Sequence, residues 1–279
     1  MLNHSRMGML EQTLRLGLGL GIATGAATGC DFGDQASGAQ VRQAMDEIAL
    51  TGQAAGLENG IVEITTSFTL GDGLEAMLQE VRNFAESQVA CSSVESPEPG
   101  MLVIDFGELG DACQYRGKTY AGVVTVTWEL SDDAVIVEHD YDGITDGIVT
   151  LQGQATVTWA EASRRVETDV SFENDRTAIE VESDRTQTLL GGVGDGIKVV
   201  GTRDWTSPRG VWSLDIDDVE MRAVDPVPQA GSYTLTTPEE HELSLGFKRL
   251  DETTIEVSIS GGRDDFTFQV TSAGEVEEG

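Results

Sequence analysis

The sequence predicts a mainly β protein: a long antiparallel up-and-down curved sheet of about ten or eleven strands, with two N-terminal helices packed on one face. Three observations carry this expectation. From Met101 onward, apolar and polar residues alternate with period two in run after run. These runs are joined by short turns rich in Gly, Asp, Asn or Ser, with no helical span long enough for a parallel crossover. Before the turn-rich "SSVESPEPG", Ser92 to Gly100, the apolar residues instead recur at helical spacing.

The chain opens with Arg6 and Arg15 around a mildly basic segment, and Leu16 to Ala27 follow as a short apolar run ending in Thr28 and Gly29. This is the three-part layout of a secretory signal over residues 1–29. The run is too short and too glycine-rich to span the roughly 30 Å hydrocarbon core, which takes about 20 apolar residues. The stretch "ATGC" then sets Ala27, Thr28 and Gly29 before Cys30. It looks like a bacterial lipobox, with Ala27 where leucine is usual. That resemblance implies a diacylglycerol on the Cys30 thiol, cleavage that leaves Cys30 as the first residue, and an acylated amine. Two or more chains anchor stably where one binds only marginally. The expected location is the bacterial cell envelope, lipid-anchored at the outer membrane or periplasmic face. The alternatives are a plainly secreted protein and a cytosolic chain whose first residues are misread.

Residues 30–38 read as a tether and 39–91 as the helical segment. Ser37 with Gln40 resembles a capping box ahead of Val41, Ala44, Met45 and Ile48. Asp72 and Glu75 repeat it ahead of Leu74, Met77, Leu78, Val81, Phe84 and Ala85. Between the two, "NGIVEITTSFTLG" suits a strand by its β-branched residues and equally a continued helix. The β domain spans 101–271, in runs such as "MLVIDFG", "AGVVTVTWEL", "DAVIVEHDY", "DGIVTLQGQATVTW", "RRVETDVSF", "DGIKVVGTRDW" and "TTIEVSIS". "TVTW" occurs at Thr125–Trp128 and again at Thr156–Trp159, as expected of two equivalent hairpin strands. Residues 272–279 form an acidic tail expected to be flexible.

Charge removes whole classes of partner. The full chain carries a formal charge of −32, and without Arg6, Arg15 and Glu11 the portion from Cys30 has 15 basic and 48 acidic residues. So acidic a surface repels nucleic acid, and it repels anionic headgroups within reach of the Debye length of roughly 8 Å. Cysteine usage fits export. Three cysteines are an odd count, but acylation of Cys30 leaves Cys91 and Cys113 as an even pair. They form either a disulfide or two free thiols acting as small apolar residues.

Of the histidines, His139 and His241 follow the leader, and neither lies in a metal-binding or nucleophile-elbow motif. In "HDYDGITDG", Asp140, Asp142 and Asp146 are weak metal candidates, because hard cations take several oxygen ligands. The EF-hand frame fails there, with Leu151 where the bidentate glutamate belongs. "DIDD", Asp215 to Asp218, is equally incomplete. No cofactor motif is present, so no cofactor and no catalytic residue are expected.

"VIDFGELGDACQYRGKTYAGVVTVTW", Val103 to Trp128, resembles a stretch of uncharacterised lipoproteins of Bacteroidota and myxobacteria, in which an "IDFG" strand precedes a cysteine, a glycine turn and a long strand. The likeness extends over most of Met101 to Val270. In those relatives the closing segment often carries another cysteine, absent here. The resemblance implies fold and location but no activity. Three functions follow as expectations: a lipid-anchored, non-enzymatic binding or structural module; a carrier of an apolar ligand in the curved sheet; and a secreted hydrolase. The membrane is the expected partner, through Cys30; no protein or ligand partner is specified.

Overall fold

The computed structural model describes residues 35–68, 73–89, 91–111, 113–131, 134–160, 163–174, 177–191, 196–222 and 225–271. The leader 1–29, Cys30 and the acidic tail 272–279 lie outside them.

Helix α1 (Gly38–Thr65) begins where its sequence suggests. The Ser37 hydroxyl accepts from the Gln40 amide at 3.4 Å, and the Gln40 side-chain oxygen accepts from the Ser37 amide at 2.8 Å. The ambiguous stretch after Asn59 is helical as far as Thr65. Ile61, Val62 and Ile64 are each fully buried there, so packing around the helix overrides their β propensity. Helix α2 (Leu74–Gln88) buries Met77, Leu78, Val81 and Ala85. Its N-cap is Gly73, which makes no side-chain cap, and Asp72 lies outside the described residues.

Among the described residues fourteen strands follow, more than the ten or eleven expected. They are β1 (Ser93–Glu95), β2 (Met101–Asp105), β3 (Cys113–Tyr115), β4 (Lys118–Leu130), β5 (Val135–Thr145), β6 (Thr150–Ala160) and β7 (Ser163–Asn174). Then come β8 (Thr177–Leu189), β9 (Ile197–Ser207), β10 (Gly210–Arg222), β11 (Asp225–Thr236), β12 (Glu242–Arg249), β13 (Thr254–Ser260) and β14 (Phe266–Thr271). Every pairing is antiparallel and runs in sequence order, except that β2 pairs with β4 while the short β3 pairs with the start of β4. The sheet is open, with β1 and β14 at its two ends.

The sheet curls around α1. Glu58 meets β7 and β8 through Thr168 and Arg185, whereas Gly60, on the opposite side of the helix, abuts the Tyr120 hydroxyl of β4. Bulges assist the bend. At Gly122, with φ of 95°, the β4–β5 register shifts, and a Cβ there would overlap the Gly143 carbonyl. α1 enters at the β13–β14 turn, where Ala36 bridges to Gly262 and its carbonyl accepts from the Arg263 amide at 2.9 Å. It leaves at the far end of the strands, where Phe68 stacks edge-on against Trp159 at 6.4 Å. α2 packs against α1, β1 and β4. Among the described residues no helix is long and apolar enough to cross a membrane.

Candidate functional site

Most of the interface between α1 and the sheet is apolar, but a polar seam runs through it. Glu47, Thr51, Glu58 and Thr65 recur along one side of α1 and are all buried. They face a row of directly paired sheet residues, His139, Ala155, Thr168, Ser183 and Arg203, which crosses β5 to β9. The neighbouring inward positions on β8 add Arg185 and Gln187.

Each helix carboxylate is met by donors. Glu58 accepts from Thr168 Oγ1 at 2.6 Å and from an Arg185 guanidinium nitrogen at 2.9 Å. Glu47 accepts from Trp205 Nε1 at 3.0 Å, Ser207 Oγ at 3.2 Å and Arg209 at 3.4 Å. Thr65 Oγ1 lies 2.7 Å from His139 Nε2, and the other ring nitrogen faces the Ala155 carbonyl at 3.4 Å. Burial pushes the His139 pKa down to about 4, so the ring is neutral at pH 7. On the outer side of α1, Glu63 accepts from Tyr115 Oη at 3.1 Å and from Arg116 at 3.0 Å. Burial first, and Glu63 second, push the Tyr115 phenol up to about 12.

Three guanidiniums point inward, from Arg164, Arg185 and Arg203. Of these, Arg185 alone is ion-paired with a carboxylate among the described residues. Arg164 instead donates to the Gln187 side chain at 2.8 Å and lies over the Trp159 ring. Arg185 Nε, Tyr141 Oη and the indole nitrogens of Trp128, Trp159 and Trp212 are buried with no partner among the described residues.

The residues singled out by sequence fare differently. Cys91 and Cys113 sit at disulfide distance, with Cα atoms 5.4 Å apart, and join the end of α2 to the start of β3. Asp140 and Asp142 are exposed on the outer face of β5. Asp146 Oδ1 is engaged in its own turn, accepting from the Ile148 and Val149 amides at 2.9 and 3.0 Å. Among the described residues no group of three His, Cys, Asp or Glu side chains is placed to hold a metal ion. Asp218 pairs with Lys198 at 3.0 Å, and the two "TVTW" copies lie on the separate strands β4 and β6. Glu47, Glu58, Thr168, Ser183, Arg185 and Arg203 belong to no sequence motif. The signal available for the glutamates was their place on the apolar stripe of α1, eleven residues apart on the same side.

No protein-family model matches the chain, and no curated protein or solved structure matches it.

Proposed function

We propose that the protein is a lipid-anchored cell-envelope protein, held by acyl chains on Cys30, whose folded body is a non-enzymatic binding or structural module. The observation that carries this reading is the proximity of Cys91 and Cys113. A disulfide belongs to an oxidising compartment, and the pair leaves Cys30 as the odd cysteine, the role a lipid-modified residue would fill. The likeness of Val103–Trp128 to envelope lipoproteins supports the same location.

The geometry adds an orientation. Six residue steps separate Cys30 from Ala36, a span of at most about 20 Å. The β13–β14 turn, where Ala36 is bound, would therefore lie close to the lipid surface. α1 already fills the face on which a carrier of an apolar ligand would hold its cargo, which favours engagement of partners through the outer surface and the far end of the sheet.

The test is the intact mass of protein from native membranes, read with and without reductant and beside a Cys30→Ala form. An acylated Cys30 start and a two-proton gain on reduction are expected. An unmodified mass with the leader cut elsewhere would make this a plainly secreted protein. A photo-cross-linking residue at Arg263 should then label lipid, and one at Leu250, in the β12–β13 turn at the opposite end, should not.

A further inference from the structure

We infer that the interior of the protein holds a small-anion site, built by Arg203 and Ser183 at the interface with α1 and suited to one monatomic, halide-class ion. Between α1 and strands β7 to β9 lies a small cavity of about 10 Å³, bounded by Thr51, Glu58, Val170, Val181, Ser183 and Arg203. That volume holds one water or one monatomic ion and excludes phosphate, sulfate or a carboxylate ligand.

The walls are chemically one-sided. Thr51 directs its hydroxyl to the Glu47 and Ile48 carbonyls of its own helix, at 3.1 and 3.2 Å. Both Glu58 oxygens are engaged, one by Thr168 and the other by Arg185. The Ser183 hydroxyl, on a residue 8% exposed, and the guanidinium of the half-buried Arg203 make no hydrogen bond or ion pair to any described residue. Two donors without partners therefore meet at one cavity, and a guanidinium has no acceptor atom to offer in exchange.

Charge decides what completes the site. Arg185 and Arg203 both lie close enough to Glu58 to interact with it, so the pair of arginines exceeds the carboxylate by one positive charge. Charge taken out of water is stabilised by a counter-charge far better than by a dipole. A water in the cavity would satisfy the Ser183 hydroxyl and leave the excess on Arg203, whereas a halide satisfies both. Gly201 supports the arrangement from the sheet. It lies directly opposite Arg185 in the register and two residues before Arg203 on the same face, and a Cβ there would overlap the β8 backbone at Asp184 and Arg185, so glycine lets the two strands approach at this point.

The experiment is a thermal-unfolding titration with sodium chloride and sodium bromide against sodium gluconate, at constant ionic strength so that screening of the acidic surface does not vary. Saturable stabilisation by the halides alone is expected. Arg203→Gln should abolish it, and Ser183→Ala should raise the half-saturating concentration by about tenfold, the loss of one buried hydrogen bond. In gluconate, Arg203→Gln should be no less stable than the parent, because it removes a positive charge that sits beside Arg185 without a carboxylate partner of its own. Identical curves in chloride and gluconate, or a halide effect undiminished in both variants, would overturn the site. If either variant fails to fold, crystals grown with bromide decide: an anomalous peak between Arg203 and Ser183 supports the proposal, and a water there overturns it.

Discussion

Arg185 near the middle of β8 and Glu58 two turns before the end of α1 form an ion pair 2.9 Å long, with side chains only 3% and 5% exposed. The contact joins residues 127 positions apart in the chain. It fixes where along the sheet the helix lies, since a shift of one helical turn would move Glu58 away from both Arg185 and Thr168. Breaking a buried pair leaves one charge without its partner, whereas replacing both with apolar groups removes two desolvation penalties together. Glu58→Ala or Arg185→Ala should each destabilise by about 3–5 kcal/mol, and Glu58→Leu with Arg185→Met by far less. Urea unfolding of the singles and the double measures this; additive losses would refute the coupling.

Stability should fall in mildly acidic solution because of His139. Burial lowers its native pKa to about 4, while the unfolded chain keeps a value near 6.5. The unfolded state therefore binds a proton first. This contribution is complete above about pH 6.5, declines as pH falls towards about 4 and is flat below, a total of about 3 kcal/mol. Comparing the pH profile of unfolding free energy between the parent and His139→Gln isolates it. The variant should lack this part of the slope.

Two glycines on one side of α1 should respond oppositely to alanine. A Cβ on Gly60 would strike the Tyr120 hydroxyl and ring, and Tyr120 is 1% exposed with little room to yield. Gly60→Ala should lose about 1–3 kcal/mol. Gly52 has nothing within 4 Å of the added methyl, so Gly52→Ala should gain up to about 1 kcal/mol from helix propensity. Thermal melts of the two variants, run side by side, make the comparison.

The outer face should make the protein sensitive to salt. Asp169 pairs directly with Glu182 across β7 and β8, and Glu182 pairs with Asp204 across β8 and β9. Like charges placed opposite one another oppose sheet formation. Glu182→Gln is expected to stabilise by about 0.5 kcal/mol at low ionic strength. The gain should shrink in 1 M salt, where the Debye length is only about 3 Å. An equal gain at both ionic strengths would assign it to something other than charge.

The strands missed in the sequence share a physical cause. Strand β8, "TAIEVESDRTQTL", alternates only as far as Ile179 and Val181; beyond them its inward positions are Ser183, Arg185 and Gln187, so both faces are polar there and the period is lost. β11 carries Pro226, Pro228 and Gly231, which read as breakers. β1 and β3 have three residues each, too few for any period to register. The polar seam was hidden for the same reason as β8: a glutamate on a helix stripe becomes an anchor when an arginine from a distant strand meets it.

The sequence by itself determined the class of fold, the antiparallel order of the strands and the first helix cap. These rest on periodicity and turn chemistry, both of which are local. The tertiary structure decided that α1 lies inside the curl of the sheet, that His139 is neutral and buried, and that Glu58, Arg185, Ser183 and Arg203 converge. Those facts depend on which residues share a low-dielectric interior. Burial turns an ordinary polar side chain into an ion pair, a depressed histidine or an anion site, and it is a property of the packed molecule.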